Sequence, residues 1–205
     1  KTLLVSIICL FELFAAGEPS PYVAAAAASK ENAGQIYKEL KHTIHAAFPE
    51  FVEDGTIRPT DHTKRITVPG LNGEFRCFAS QGSRVHGEPC SCVVLDECHA
   101  HADPELFQAL RYNTDARDNG LVVCISTAGK DTSHWYYGIY QKSKRILAGE
   151  DLDTVHYAEV YEADPDKDFA NDPDQWHKCN PSMGTSFPVD RFRRDLESAK
   201  GNLGE

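Results

Sequence analysis

Two apolar runs without alternation, residues 92–95 (Cys-Val-Val-Leu) and 121–126 (Leu-Val-Val-Cys-Ile-Ser), limit this chain more than any other feature. Each predicts a central strand covered by helices on both faces, as in a parallel sheet. Between them, Asp103 as N-cap and Pro104 at the first position predict a helix over 103–114. Upstream, the turn Glu18-Pro19-Ser20-Pro21 leads into a short apolar strand over 22–27. A helix over 29–48 follows, with Ala33, Ile36, Tyr37, Leu40 and Ile44 on one face. Residues 65–68 and 74–78 predict two strands around Pro69-Gly70-Leu71-Asn72-Gly73, as in a hairpin or tight meander. Downstream, Asp131 or Thr132 caps a helix reaching about Leu147, and 155–161 predicts one more strand. Strands and helices in this order give an α/β fold. No internal repeat is present, and the acidic, proline-containing stretch 159–174 predicts a surface excursion.

The first seventeen residues imitate a secretory signal: one Lys, an apolar stretch, then Ala15-Ala16-Gly17. Glu12 interrupts the run, no initiator Met precedes it, and a membrane span needs about 20 apolar residues. The expectation is a fragment that opens inside a reading frame, beginning with a buried helix that uses Leu3, Leu4, Ile7, Ile8, Phe11 and Phe14 and stops at Gly17. A helix opening on Lys-Thr matches the last two residues of a phosphate-binding loop, whose Lys reaches the β and γ phosphates and whose hydroxyl holds Mg²⁺.

Charge and cysteine usage narrow the function classes. With 31 acidic against 21 basic residues, the net charge of −10 argues against nonspecific coating of nucleic acid. Local basic groups remain at Lys64-Arg65, at Lys142, Lys144 and Arg145, and at Arg191, Arg193 and Arg194; each alone reads as a solvated face. Seven cysteines in 205 residues are too few and odd in number for a disulfide scaffold, so reduced, mostly buried thiols are expected.

The first apolar run ends in Asp96-Glu97, two adjacent carboxylates where a buried strand emerges. That is the Walker B arrangement, in which the Asp serves Mg²⁺ and the Glu orients and deprotonates an attacking water. The second run ends in Ser126-Thr127-Ala128-Gly129, where hydroxyls can exchange partners when a phosphate leaves. Cys90, Cys92, Cys98, His99 and His101 are the ligand types of a zinc site, but they lack a second Cys-x2-Cys knuckle and Cys92 opens a core strand; zinc is not expected. No Gly-x-Ser-x-Gly elbow or His-Glu-x-x-His array appears.

The order Lys1-Thr2, Tyr22-Val23-Ala24-Ala25-Ala26, Val93-Val94-Leu95-Asp96-Glu97-Cys98-His99-Ala100-His101, Ile125-Ser126-Thr127-Ala128-Gly129, then Trp176 and Asn180-Pro181-Ser182-Met183-Gly184, resembles the ATPase domain of tailed-phage terminase large subunits. The resemblance covers nearly the whole chain. It implies a P-loop NTPase of the RecA-like group: a three-layer α/β/α fold with a mainly parallel sheet, here lacking its N-terminal Walker A strand and glycine-rich loop. It implies ATP and Mg²⁺ as cofactors, Lys1 and Thr2 as ATP-binding residues, and Thr2 and Asp96 on the metal. Glu97 is the implied catalytic carboxylate, and Ser126, Thr127 and Ala128 the coupling motif. The arginine finger is uncertain in this pattern, because His86-Gly87 stands where many members have Arg-Gly; Arg84 is the candidate.

The resemblance further implies an ATPase motor that moves double-stranded DNA into a procapsid. Its partners would be the portal protein, the small terminase subunit and further copies in a ring, in the host cytoplasm at the procapsid portal and away from any membrane. The expected domain division is 1–160 for the ATPase core and 161–205 for a lid or linker. That segment would lead towards a nuclease domain, with its own divalent metal, that this sequence lacks. Without the glycine-rich loop, poor hydrolysis is expected of the fragment. Two alternatives stay open: a DExH-type helicase, whose motif Asp96-Glu97-Cys98-His99 spells, and a degenerate prophage remnant without catalysis.

Overall fold

A computed structural model describes residues 1–79 and 88–202 of the chain. Its elements run α1 (Thr2–Phe14), β1 (Tyr22–Ala27), α2 (Lys30–Ala47), α3 (Pro49–Glu53), β2 (Arg58–Thr60), β3 (Arg65–Val68), β4 (Gly73–Ala79), β5 (Cys92–Asp96), α4 (Glu105–Thr114), β6 (Leu121–Cys124), α5 (Trp135–Leu147), α6 (Pro173–Cys179) and α7 (Val189–Asn202). The chain divides into two compact units, Lys1–Ile139 and Tyr140–Glu205.

The first unit is built on one six-stranded sheet in the order β2-β3-β4-β1-β5-β6. The pairs β4/β1, β1/β5 and β5/β6 are parallel, while β2/β3 and β3/β4 are antiparallel. Alternation along β1 sorts the core into two layers. Val23 and Ala25 face a cluster with Val5, Cys9 and Leu13 of α1 and with Ile36, Leu40 and Ile44 of α2. Ala24 and Ala26 face the other side, with Leu106 and Leu110 of α4 and with Trp135 and Tyr136 at the start of α5. Burial of each Leu or Ile contributes about 1.5–3 kcal/mol, and the alanines of β1 let helices approach from both sides. The α/β fold with a mostly parallel sheet is as the sequence predicts.

The helix α2 and its five core residues are also as predicted, all buried. Ser29 caps it, its hydroxyl accepting from the Asn32 N–H at 3.2 Å. Ser29→Ala is expected to lower stability by about 1 kcal/mol, read as a lower midpoint in thermal unfolding followed by circular dichroism.

Several expectations are corrected. The helix α1 forms, but it buries Val5, Ser6, Cys9, Glu12 and Leu13. Leu3, Leu4, Ile7 and Phe11 are instead exposed. The sequence is apolar around the whole helix, and the small side chains Ser6 and Cys9 allow the closer approach to the sheet. Strand β6 is not central: it lies at the sheet edge, half-exposed. Helix α4 starts one residue later than predicted, with Pro104 at the N-cap and the Asp103 carboxylate accepting from the Glu105 N–H at 3.0 Å. Asp131 holds a turn through Ser133, at 2.8 Å to its N–H, and α5 begins only at Trp135. Strand β2 and helix α3 are additions that the sequence did not signal.

In the second unit, residues 155–161 form no strand. Strand geometry needs a hydrogen-bonded neighbour; this segment is instead pinned to α5 by a side chain, Ser143 to His156 at 3.0 Å, and the Glu162 that follows it accepts from the Tyr140 hydroxyl at 2.5 Å. Buried Trp176 on α6 donates to the Phe169 carbonyl at 2.5 Å and packs on Phe192 of α7, with ring centroids 5.3 Å apart. All seven cysteines are free thiols. Among the described residues no helix is long and apolar enough to cross a membrane.

Candidate nucleotide site at the carboxyl edge of the sheet

Because β4, β1, β5 and β6 are parallel, their carboxyl ends open on one edge, where α/β sheets carry their chemistry. Strand β5 delivers Asp96 to that edge, and Glu97 then turns with φ +49° and ψ +56°. A non-glycine residue in the left-handed region costs on the order of 1 kcal/mol and is held only when its surroundings fix it. Here the fixing groups are visible. The Cys98 N–H donates to the Ile125 carbonyl at 3.1 Å and the Ile125 N–H to the Leu95 carbonyl at 2.9 Å, extending the β5/β6 pairing beyond both strands.

The turn aims the Glu97 carboxylate between the start of α1 and the end of β6. Lys1 Nζ lies 2.9 Å from Oε1, while Oε2 accepts from both the N–H and the hydroxyl of Thr127, each at 3.1 Å. His99 Nδ1 approaches the same oxygen at 3.3 Å and Ser126 Oγ at 2.9 Å. Ser126 Oγ also accepts from the His99 N–H at 3.1 Å. Burial works against ionisation of Glu97, but the bonds from Lys1 and Thr127 outweigh it and its pKa is lowered. Asp96 goes the other way: burial, then the neighbouring Glu97 charge, raise its pKa, against a smaller opposing pull from Lys1.

A second ring of polar contacts supports this turn. His101 is 1% exposed, and its Nε2 lies 3.1 Å from the Asp96 carbonyl oxygen. The His101 carbonyl in turn accepts from His134 Nε2 at 2.7 Å and Trp135 Nε1 at 3.0 Å. The start of α5 is thereby tied to the loop after β5. Burial lowers the His101 pKa.

Of the residues singled out in the sequence, the structure gathers Lys1, Asp96, Glu97, Ser126 and Thr127 at one edge. Thr2 is the first residue of α1, next to Lys1, and Ala128 follows Thr127 on the exposed loop. Arg84 lies outside the described residues. The sulfurs of Cys90 and Cys98 turn to the Glu88 and Leu95 carbonyls, at 3.5 and 3.6 Å. Among the described residues no three His, Cys, Asp or Glu side chains form a metal-holding group. His134 and Trp135 carry no sequence signal; only folding brings them to His101.

Comparison with known proteins bears on the family and the fold. The family described as terminase large subunit, ATPase domain, matches residues 1–145. Protein YmfN of Escherichia coli (strain K12) is 28% identical over 140 residues, which is 68% of this chain and 30% of that protein. The crystal structure of the HK97 bacteriophage large terminase superposes with a TM-score of 0.82 at 21% identity, covering 97% of this chain and 40% of that one. The Thermus phage P74-26 large terminase ATPase domain gives 0.52 at 18% identity over 68% of this chain and 59% of that one. At such identities the two structures speak for the fold, and the chain spans less than half of YmfN and of the HK97 protein. The family match covers most of the chain and runs through the whole edge network: this chain belongs to the terminase large subunit ATPase-domain family.

Proposed function

We propose that this chain is the ATPase part of a motor that drives double-stranded phage DNA into a procapsid, with hydrolysis carried out by the full-length protein. The observation that carries the reading is the carboxylate of Glu97, held between Lys1 on one oxygen and Thr127 on the other. Family membership sets the helicase reading aside. The portal protein, the small terminase subunit and further copies of the chain in a ring are the proposed partners, in the host cytoplasm. Residues 161–205 are proposed as a lid or linker towards a nuclease domain.

The residues present fit Mg²⁺ with a nucleotide. Asp96 offers a buried carboxylate whose charged form a cation would favour, and Thr2 offers a hydroxyl beside Lys1. Hard oxygen donors suit Mg²⁺, which takes one or two carboxylates plus substrate phosphates instead of an all-protein cage. When bound, Mg²⁺ neutralises charge that develops on the transferring phosphoryl group.

The chain's own residues then divide the work. In the structure the Lys1 ammonium pairs with Glu97 Oε1, so its transfer to a phosphate uncovers that oxygen for a water. Thr127 keeps Oε2 fixed, and the lowered pKa keeps the carboxylate ionised to orient the water and receive its proton. Ser126, Thr127 and Ala128 form the coupling motif, since any change in the load on Glu97 is felt at once by Thr127.

Phosphate release by the full-length protein with ATP and Mg²⁺, with and without duplex DNA, tests the reading. Turnover that DNA stimulates and a chelator removes is the expected result. Nucleotide binding without any turnover would leave a non-catalytic remnant in its place.

A further inference from the structure

We propose that His99 is the positioning residue that ties the Glu97 carboxylate to the Ser126–Thr127 loop, a role that rests on the ATPase reading. Its place follows from the backbone. Glu97 takes the left-handed turn, Cys98–Ala100 make a single turn of 3₁₀ helix, and the Cys98 N–H is anchored on the Ile125 carbonyl at 3.1 Å. The next residue, His99, is thereby set beside Ser126, and its own N–H donates to the Ser126 hydroxyl at 3.1 Å. A Cβ at Gly129 would stand 3.3 Å from His99 Cβ, so the loop after β6 folds back over this side chain.

The neighbours of the ring decide which of its nitrogens carries the proton. His99 Nδ1 lies 2.9 Å from Ser126 Oγ, 3.3 Å from Glu97 Oε2 and 3.4 Å from Thr127 Oγ1. None of these oxygens has a proton to give it. A hydroxyl holds one proton; Ser126 donates its own to the Thr127 carbonyl at 2.9 Å, and Thr127 donates to Glu97 Oε2 at 3.1 Å. The ionised carboxylate only accepts. Nδ1 therefore carries the proton and donates to Ser126, whose oxygen then accepts from both the N–H and the ring of His99 while its own proton is spent on Thr127.

These bonds close a ring. It runs from the Glu97 backbone through His99 to Ser126, from Ser126 to the Thr127 peptide, and back from the Thr127 N–H and hydroxyl to the Glu97 carboxylate. Stability does not require it: the His99 side chain is 31% exposed, and water could partner each of these groups at little cost. Water does not fix direction, and a general base is effective only when its oxygen is held towards the water it activates. When Lys1 turns from Glu97 to a phosphate, this ring is what still holds the carboxylate. His99 thus acts through Ser126 and Thr127.

Steady-state phosphate release by the full-length protein, with kcat and KM for ATP separated, tests this. His99→Ala is expected to lower kcat about tenfold with KM within about twofold of the parent. His99→Asn, whose amide nitrogen stands where Nδ1 does, is expected to recover kcat to within about threefold of the parent. His99→Gln, whose amide reaches the place of Nε2 instead, is expected to stay as low as His99→Ala. The double variant His99→Ala/Ser126→Ala should fall no further than the poorer single variant, since both cut the same link. A parent-like kcat in His99→Ala would overturn the proposal. So would equal loss in the Asn and Gln variants, which would leave only the bulk of the ring; if the alanine variant does not fold, this comparison alone decides. A raised KM at unchanged kcat would make His99 a nucleotide contact and overturn it too. Failure of the ATPase reading looks different: the parent itself releases no phosphate. The ring proton is then still read from the ¹⁵N shifts of His99 at about pH 8, above the usual imidazole pKa, with the signals identified by their loss in His99→Asn. A ring protonated at Nε2 in place of Nδ1 would overturn the assignment.

Discussion

In the full-length protein, Glu97→Gln is expected to lower ATP turnover by about 10² to 10⁴-fold while nucleotide binding stays the same or tightens. The amide has nearly the shape of the carboxylate, and its oxygen can still accept from the N–H and hydroxyl of Thr127, so the left-handed turn keeps its anchor. What disappears is the negative charge that holds an attacking water and receives its proton. The nitrogen of Gln also faces Lys1 donor to donor, and the Lys1–Glu97 pair is lost. Both partners are partly exposed, at 43% and 28%, so the pair is worth about 0.2–1 kcal/mol. Releasing Lys1 from it should tighten phosphate binding by at most about fivefold, since ~1.4 kcal/mol corresponds to tenfold. Phosphate release and equilibrium binding of a fluorescent nucleotide separate the two effects. Turnover equal to the parent would remove Glu97 from its role. Weakened binding with unchanged turnover per bound nucleotide would make it a phosphate-site spacer instead.

That expectation could be stated from sequence because Val93-Val94-Leu95 runs directly into Asp96-Glu97, and a buried parallel strand has one place to put its carboxyl end. The same logic located β1 and α2: Ser29 is a good cap, and Ile36, Leu40 and Ile44 repeat at helical spacing opposite polar residues. Where the pattern is degenerate, sequence could not choose. Helix α1 is apolar all round, and the face it buries was decided by close approach to the sheet, at the expense of including Glu12, whose pKa burial raises. Residues 155–161 have strand-like composition, yet composition supplies no hydrogen-bonded neighbour.

The Glu97 turn shows why the motif extends past its two carboxylates. Thr127 holds one oxygen, but the position of the turn itself depends on the backbone at Asp96, and that carbonyl is met by His101. His101 in turn is held by two donors from the start of α5, so the strand end, the loop after it and the next helix share one set of hydrogen bonds. An exposed His has no such effect; this one is nearly solvent-free.

His101→Ala is therefore expected to cost about 3 kcal/mol of stability, combining a cavity of aromatic size with an unpaired Asp96 carbonyl. The pH dependence distinguishes this site from an ordinary core position. Burial lowers the His101 pKa, with the charge of His134 adding to the effect, while the bond to the Asp96 carbonyl and the charges of Asp103 and Asp96 oppose it. As pH falls below about 6.5 an unfolded histidine takes up a proton. Folded His101 stays neutral, so the unfolded state gains by up to ~1.4 kcal/mol per pH unit until the folded imidazole titrates too. Its contribution is thus full above pH about 6.5 and declines on acidification. The carboxyls with lowered pKa exert their effect at lower pH: Asp54, Asp61, Asp131 and Asp153 as the medium approaches and passes below their usual value of 3.8, and Glu97 below its usual 4.5. The raised pKa of Asp96 has the opposite sign, its penalty relieved as acid protonates it. His101→Gln can donate to the Asp96 carbonyl without titrating, and should flatten the loss of stability between pH 6.5 and 5. Urea unfolding of both proteins across that range measures it, and parallel slopes would show that His101 is not the group responsible.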